Sequence, residues 1–301
     1  MAKNEFDLKS LSDSMADAVE KAAASVLLVN ARRRMPASGI AFAADLVLTA
    51  NHVVHADEGI KVMLPDGSEL SAEVVGRDSG SDLCLLKLDQ ESATPAELAE
   101  DPKPGQLAFA LGRPSDEGIQ ASFGVVSAIS GTARTRTGSV LESHIRTDAI
   151  PYPGFSGGPL IDAEGKILGI NTSGLGRGNS IAIPVKLAWK IAASLRDHGS
   201  VKRGFLGIRS QPVEIPASAQ KALKRDHAGG LLLVGVEADS PAQGAELMVS
   251  DILVGFNGQP VQTPDDLLGL LTGEVVGNPT PVEILRGGEP KTLKVTLGER
   301  A

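Results

Sequence analysis

The sequence predicts a mostly β protein with two domains. A length of 301 residues suits about two domains of roughly 150 residues each. From residue 26 onward, short apolar runs alternate with turn residues, and the chain carries 34 Gly and 18 Pro. This pattern favours many closely spaced strands. Because only 3% of the residues are aromatic, Val, Leu, Ile and Ala must build the cores.

The first element is an amphipathic helix over residues 8–24, where Leu8, Leu11, Met15 and Val19 recur at helical intervals. Short apolar runs then predict strands, for example at Val26–Val29, Leu46–Thr49, Ile60–Leu64, Leu83–Leu88, Leu107–Leu111, Gly124–Ile129 and Ile167–Asn171. The sequence Pro-Asp-Gly at 65–67 predicts a turn between two of them. Strands this short and this close predict a barrel or a sandwich.

A second helix is predicted over 185–198, with Gly199 as its C-terminal stop. The segment 199–203, GSVKR, predicts a linker between domains. The last hundred residues have a strand–helix–strand pattern of their own. Its predicted elements are strands at Leu231–Glu237, Ile252–Phe256, Pro281–Leu285 and Thr292–Thr296, and a helix at Pro264–Leu271 capped by Thr263.

Composition restricts the partners and the compartment. A net charge of −8 and a pI of about 5.2 argue against nucleic acid or an anionic membrane as partner. No apolar run approaches the length of a membrane span. The one cysteine, Cys84, lies among leucines and is expected to be a buried, inert thiol. Since the residues show no secretory signal, we expect a cytoplasmic location, with a periplasmic or other extracytoplasmic location as the alternative if a leader is missing from this chain.

A candidate nucleophile lies in the glycine-rich stretch GFSGGP at 154–159. A nucleophilic serine needs a base, a group that orients the base, and donors for the oxyanion. Gly154 allows the backbone to turn so that its N–H and that of Ser156 converge on one point. Gly157 and Gly158 are expected to keep side chains out of the substrate's path. A plain glycine-rich turn is the alternative.

The candidate base is His52, which ends the apolar run LVLTANHVV where a strand finishes. A structural histidine at a strand end is the alternative. The other four histidines lie in polar surroundings and are expected at the surface: His55, His144, His198 and His227. The candidate orienting acid is Asp82, immediately before an apolar strand, with Asp78 as a competitor in the polar loop RDSGSD.

Three of these motifs together resemble those of a known protein family. TANHVV, SDLCLLKL and GFSGGPLI, in this order, resemble the trypsin-like serine proteases, and among them the HtrA (DegP/DegS-type) family. RGFLGI at 203–208 resembles the carboxylate-binding loop of the PDZ domain in that family, and residues 236–261 resemble the PDZ core. The resemblance spans about residues 10–299. It implies a trypsin-like double β-barrel followed by an α+β PDZ domain. The expected division is 1–24 for an N-terminal helix and oligomerisation segment, 25–198 for the protease, 199–203 for the linker and 204–301 for the PDZ domain.

The resemblance also implies the roles of the candidate residues. His52 would be the general base, Asp82 its orienting acid and Ser156 the nucleophile. The loop Gly154-Phe155-Ser156 would form the oxyanion hole through the N–H groups of Gly154 and Ser156. Phe155 stands where the family usually has Asn. It either packs in an apolar recess or leaves the hole collapsed until something activates it.

Two binding sites follow from the same resemblance. Ile150, six residues before Ser156, and Ile181 would line a short aliphatic S1 pocket for Val, Ala, Ile or Leu; core positions for both are the alternative. The PDZ carboxylate loop would be Gly204, Phe205, Leu206 and Gly207. The helix leucines expected to line its apolar groove are Leu267, Leu268 and Leu271.

The sequence thus predicts an ATP-independent serine endopeptidase of protein quality control and the stress response. It would cleave unfolded or damaged proteins without a metal or cofactor, while its PDZ domain binds apolar C-termini. The alternative is a chaperone-like or PDZ peptide-binding protein with weak or latent protease activity. The resemblance implies a homotrimer with the N-terminal segment at the contact, although the apolar helix face at Leu8, Leu11 and Met15 would equally suit packing on its own barrel. A purely structural barrel leaves the His–Asp–Ser order unexplained.

Overall fold

The computed structural model describes residues 7–32, 35–131, 133–134, 140–175, 181–201, 204–223, 228–271 and 275–299. Two compact units divide the chain, Met1–Val201 and Lys202–Ala301. Part of the expected linker, residues 202–203, lies outside the described residues, as does His227. Within the described ranges, no helix combines the length and the apolar character that crossing a membrane requires.

Helix α1, Leu8–Ala23, opens the first unit, and the side chain of Asp7 caps it by accepting the N–H of Lys9. Met15, Val19 and Ala22 pack onto the main core of this unit. Leu8, in the first turn, is 73% exposed. Most of the apolar helix face therefore packs on its own unit, which is one of the two expected arrangements.

The first barrel follows α1 and closes in the order β1-β2-β3-β6-β5-β4. Its strands are β1 Val26–Asn30, β2 Ala37–Ala43, β3 Leu46–Ala50, β4 Ile60–Met63, β5 Glu69–Asp78 and β6 Leu83–Leu88. A single 3-10 turn, Asn51–Val53, follows β3. Cys84 is fully buried in this barrel, as expected.

The second barrel closes in the order β11-β14-β13-β12-β7-β8. Its strands are β7 Leu107–Gly112, β8 Gln120–Ser130, β11 His144–Thr147, β12 Pro159–Ile161, β13 Ile167–Thr172 and β14 Ile181–Pro184, and a small ribbon of β9 Ala133–Arg134 and β10 Val140–Leu141 lies between β8 and β11. Helix α2, Val185–His198, packs against β5 and β6 of the first barrel and β13 of the second. It ends at Gly199, whose φ of +72° suits glycine.

The second unit is a small sheet with helices, ordered β16-β17-β18-β20-β21. Its elements are β15 Gly204–Phe205, β16 Ile208–Glu214, α3 Ala217–Leu223, β17 Gly229–Val236, α4 Pro241–Gly244, β18 Ile252–Phe256, β19 Gln259–Pro260, α5 Pro264–Leu270, β20 Pro279–Arg286, β21 Glu289–Thr296 and β22 Gly298–Glu299. Thr263 caps α5 in a reciprocal box with Asp266. The predicted fold class, a double β-barrel followed by an α+β domain, is confirmed.

Candidate active site

Strand pairing brings His52 and Asp82 together. Strands β3 and β6 run antiparallel with Ala50 opposite Leu83. The residues that follow β3 and those that precede β6 must therefore lie side by side at one end of the first barrel. The N–H of Asn51 donates to the Asp82 carbonyl at 2.8 Å, which fixes the two segments to each other.

The buried carboxylate of Asp82 contacts His52 at two atoms. Oδ2 lies 2.7 Å from Nδ1, and Oδ1 accepts the backbone N–H of His52 at 2.9 Å. Thr172, at the end of β13, donates its hydroxyl to Oδ2 as well. Because a carboxylate only accepts, Nδ1 carries the ring proton and Nε2 presents its lone pair to the cleft.

Asp78 does not compete for His52. It ends β5 and is buried, rather than standing in an open polar loop as expected. Its carboxylate accepts the N–H groups of Gly80 and Ser81 at 3.2 and 3.0 Å. Asp78 therefore fixes the turn that leads to Asp82.

Phe155 anchors the loop that carries Ser156. Its ring is fully buried and meets the ring of Tyr152 edge-on, with centroids 5.5 Å apart. Its N–H donates to the Tyr152 carbonyl at 3.0 Å, so it offers no donor to the cleft. Of the two expected roles for Phe155, the structure shows packing in an apolar recess.

The backbone of the same loop leaves two donors without an acceptor. Gly154 has φ +91°, and a side chain there would meet Pro114 at 2.5 Å. Ser38 holds the loop on the barrel: its hydroxyl donates to the Gly154 carbonyl at 2.7 Å, and its N–H donates to the Ser156 carbonyl at 3.2 Å. Across the residues described, the N–H groups of Gly154 and Ser156 have no hydrogen-bond acceptor. These are the two donors that an oxyanion hole at this loop requires.

The next two glycines serve a different purpose from the one expected. A Cβ at Gly157 would lie 2.2 Å from the Ser38 carbonyl oxygen, and one at Gly158 would lie 2.3 Å from the Leu111 carbonyl oxygen. Both positions face protein backbone rather than the cleft. They allow the serine loop to approach β2 and β7 closely.

A pocket of about 780 Å³ opens beside Ser156. Its lining residues are Arg32, Met35, His52, His55, Pro151, Tyr152, Pro153, Gly154, Ser156 and Ser173. The hydroxyl of Ser156 lies 3.2 Å from that of Ser173, which lies 3.3 Å from Nε2 of His52. Among the described contacts, no direct hydrogen bond joins Ser156 to His52. The pocket thus brings His52 and Ser156 together with Ser173 between them, while Asp82 contacts His52 from outside the pocket lining.

Sequence reasoning missed residues 172–174, at the end of β13 and just after it. Thr172 binds Asp82, Ser173 contacts His52 and Ser156, and a side chain at Gly174 would lie 2.4 Å from Oδ2 of Asp82. A Thr-Ser-Gly sequence after a strand is typical of many turns. Only the closure of the second barrel shows which turn faces the site.

The two isoleucines assigned to S1 lie outside the lining of this pocket. Ile150 is 59% exposed, and its carbonyl accepts the hydroxyl of Ser122 at 2.5 Å. Ile181 is half-buried in β14, opposite Thr172. Their role in S1 stays a prediction.

The remaining described histidines differ from one another. His55 is exposed as expected, lines the pocket and contacts the His52 carbonyl through Nε2 at 3.2 Å. His198 is exposed as well. His144 is half-buried rather than at the open surface, and its burial lowers its pKa.

The loop between β15 and β16 is the candidate carboxylate site of the second unit. The carbonyls of Leu206 and Gly207 accept the N–H groups of Ala242 and Glu237, both at 2.9 Å. No acceptor for the N–H groups of Leu206 and Gly207 exists in the part of the chain that the structure describes. Gly207 has φ +79°, and a Cβ there would meet Ser240 at 2.2 Å. The loop therefore presents two adjacent N–H donors on a rigid backbone.

The neighbouring groove residues divide into core and rim. Strand β16 is an edge of its sheet and α5 packs beside it. On α5, Leu267 is buried in the core and Leu268 is half-buried, while Leu271 follows the helix and is buried too. Phe205 is half-buried in β15, and Gly204 donates its N–H to the Leu271 carbonyl at 3.0 Å.

Comparisons with known proteins agree with this geometry. Residues 37–170 match the family model of the trypsin-like peptidase domain, and residues 204–297 match that of the PDZ domain. A probable periplasmic serine endoprotease, DegP-like, from Halomonas elongata is 36% identical over 275 residues, which are 89% of this chain and 57% of that protein. The chain thus spans a little over half the length of this curated relative.

Solved structures extend the likeness over nearly all residues. The HtrA-type protease AlgW with tripeptide is 31% identical with a TM-score of 0.80, and the match covers 95% of this chain and 97% of that one. The serine endoprotease from Yersinia pestis is 28% identical with a TM-score of 0.76, covering 95% and 98%. The curated relative from Halomonas elongata is named periplasmic. The expected cytoplasmic location therefore finds no support.

Proposed function

The chain belongs to the HtrA family of trypsin-like serine proteases, and from that membership we propose that it is an ATP-independent serine endopeptidase that cleaves unfolded or damaged proteins. The observation that carries the proposal is the approach of Asp82 Oδ2 to His52 Nδ1 at 2.7 Å, in the pocket that also holds Ser156. The alternative of a latent or chaperone-like protein depended on Phe155 leaving the oxyanion hole collapsed. The ordered packing of Phe155 removes that support.

Each residue has a role in the proposed reaction. Ser156 Oγ attacks the substrate carbonyl carbon while His52 Nε2 takes its proton, which gives a tetrahedral oxyanion. Asp82 stabilises the imidazolium, and the N–H groups of Gly154 and Ser156 bind the oxyanion, each worth about 3–4 kcal/mol when preorganised. His52 then returns the proton to the leaving amine, and water hydrolyses the acyl-enzyme.

The test is casein degradation and the cleavage of a chromogenic peptide. Ser156→Ala and His52→Ala should each lower kcat by about 10⁴–10⁶-fold, because members of the triad act as a unit. Ser194→Ala, at a half-buried serine on α2 whose hydroxyl donates to the Ser200 carbonyl, is the matched control and should match wild type. Wild-type activity equal to that of Ser156→Ala would refute the protease.

We further propose that the pocket prefers Val, Ala, Ile or Leu before the cut bond. The lining residues Met35, Pro151 and Pro153 offer apolar contacts there, and the assignment of Ile150 and Ile181 to S1 adds to this. One methylene discriminates by only about 1–3 kcal/mol, so the preference should be broad. Mass-spectrometric mapping of cut sites tests it, and a dominance of Lys or Arg would contradict it.

We propose in addition that the PDZ domain binds apolar protein C-termini. The two unpaired N–H groups at Leu206 and Gly207, beside an edge strand, support this. A solved relative, the HtrA-type protease AlgW, is described with a tripeptide.

Assembly and location complete the proposal. We propose a homotrimer with the N-terminal segment at the contact, since Leu8 exposes an apolar side chain on the first turn of α1. A mass of 31.1 kDa by light scattering at micromolar concentration would refute the trimer. We also propose an extracytoplasmic location, after the name of the curated relative. Recovery of the native protein only in the cytoplasmic fraction would refute that location.

A further inference from the structure

A third hydroxyl stands between the proposed base and nucleophile. Ser173 Oγ lies 3.3 Å from His52 Nε2 and 3.2 Å from Ser156 Oγ. Neither the sequence motifs nor the proposed reaction gives this residue a task. Its side chain is exposed to the cleft, so its position is not a consequence of core packing.

The backbone around Ser173 is nonetheless fixed. Thr172 donates its hydroxyl to the Asp82 carboxylate, and the N–H of Gly174 donates to the same Thr172 oxygen at 2.9 Å. Gly174 lies so close to the His52–Asp82 pair that a Cβ there would be 2.9 Å from Nδ1. The segment 172–174 is therefore held against the pair, and it places the Ser173 hydroxyl beside His52.

The direction of the hydrogen bonds follows from the tautomer of His52. With the proton on Nδ1, Nε2 can only accept, and it has one lone pair. The Ser173 O–H must donate to it, which leaves the Ser173 oxygen to accept the proton of Ser156. In this arrangement the lone pair that Ser156 needs is already occupied. At 3.2 and 3.3 Å both contacts are longer than the usual O–H hydrogen bond, so an incoming substrate can replace them.

We propose that Ser173 is a positioning residue that competes with Ser156 for Nε2 of His52 and holds the unliganded active site below its full reactivity. The inference rests on the proposed protease function. In this role Ser173 neither contacts the substrate nor takes part in a covalent step. Substrate binding displaces the Ser173 hydroxyl, and Ser156 then donates to His52 directly.

The test measures the reactivity of Ser156 without a bound peptide. A small dialkyl fluorophosphonate is applied to the full chain, and the rate of its reaction with Ser156 is followed by intact mass. The variants are Ser173→Ala and Ser173→Gly, which lack the hydroxyl, and Ser173→Thr, which keeps it. Ser194→Ala is the control for loss of a serine hydroxyl away from the site, and Ser156→Ala defines the background. The values of kcat and KM on a chromogenic peptide are measured in parallel.

Loss of the hydroxyl should speed phosphonylation by about three- to tenfold, the factor that one neutral hydrogen bond is worth. Because substrate displaces the Ser173 hydroxyl before the chemical step, its loss should lower KM with kcat unchanged. Ser173→Thr and Ser194→Ala should be phosphonylated at the wild-type rate. Equal or slower phosphonylation of both Ser173→Ala and Ser173→Gly overturns the inference; slower reaction restored by Ser173→Thr would mean that Ser173 passes the proton on. If wild type reacts no faster than Ser156→Ala, the proposed function itself fails.

Discussion

The carboxylate of Asp82 binds His52 at two atoms, the ring Nδ1 at 2.7 Å and the backbone N–H at 2.9 Å. The side chain and the main chain of the base are thus fixed by one buried group. The Asp82 carboxylate therefore sets both the tautomer and the orientation of the His52 ring. We expect its charge to matter more for catalysis than its size.

Asp82→Asn should keep the shape and lose the function. An amide places an NH₂ group toward Nδ1 and favours the wrong tautomer, so kcat should fall by about 10⁴-fold with a smaller change in KM. Peptide cleavage kinetics measure the effect. Asp89→Asn, an exposed acid just after β6, is the matched control and should leave kcat unchanged. Near-wild-type kcat in Asp82→Asn would remove Asp82 from the site.

Substitution of Gly174 should lower kcat because Gly174 lies against His52 and Asp82. A Cβ there would lie 2.4 Å from Asp82 Oδ2 and 2.9 Å from His52 Nδ1, so Ala must push the base out of place. We expect Gly174→Ala to lower kcat by about 10²-fold, the effect of a misplacement near 1 Å. At Gly131 a Cβ meets nothing within 4 Å. Equal activity of Gly174→Ala and the control Gly131→Ala would contradict the contact.

Replacing Phe155 by the residue usual in the family should harm this chain. The ring is fully buried, and removing a buried aromatic side chain costs about 3–5 kcal/mol of the free energy of unfolding. Asn also brings an amide into an apolar recess. Urea denaturation and kcat should both show a loss for Phe155→Asn, while Phe155→Leu should retain more of each. A Phe155→Asn variant that is as stable as wild type and faster would show that the loop packs differently.

The sequence singled out the three residues proposed for the triad because each of them adjoins an apolar strand or a glycine-rich turn. His52 follows β3, Asp82 precedes β6, and Ser156 precedes β12. It misplaced Asp78 because a polar loop in the sequence does not reveal which of its carboxylates the barrel buries. Ser173 had no signal in the sequence, since the residues it contacts, Ser156 and His52, are 17 and 121 positions away.

One strand, β2, was not among the predicted strands for a related reason. Strand β2, Ala37–Ala43, contains Gly39 and small residues, and it has no alternation to mark it as a strand. A Cβ at Gly39 would lie 2.7 Å from Val47 and 2.8 Å from Val29, so the glycine is required by the neighbouring strands. Side-chain direction in loops depends on such long-range packing too, as the exposure of Ile150 shows.

Cys84 should be unreactive in the folded protein. Burial raises the pKa of its thiol to about 12, and the thiolate is the reactive form. Iodoacetamide at pH 8 should therefore modify Cys84 only in denaturant. The unfolded thiol loses its proton above about pH 8.5 while the folded one keeps it, so stability should decline as pH rises from there toward 12. Cys84→Ala should flatten that decline. Rapid alkylation of the native protein would contradict the burial.

The last prediction concerns peptide binding at the carboxylate loop of the second unit. The carbonyls of Leu206 and Gly207, just before the edge strand β16, accept internal hydrogen bonds, while their N–H groups have no acceptor among the described residues. A peptide that adds a strand beside β16 would bring its terminal carboxylate to these donors. The terminal charge, rather than the side chains alone, should then set the affinity.

A decapeptide ending in an apolar residue should therefore bind the full chain in calorimetry, and the same peptide with a C-terminal amide should bind about 10–100-fold more weakly, because a hydrogen bond to a charged group contributes ~1.5–3 kcal/mol. Gly207→Ala should weaken binding of the free acid as well, since its Cβ would meet Ser240 at 2.2 Å. Gly244→Ala, where a Cβ meets nothing within 4 Å, is the matched control and should bind like wild type. Equal affinity for acid and amide would exclude the loop at Leu206 and Gly207 as a carboxylate site, because those two N–H groups would then have no charge to bind.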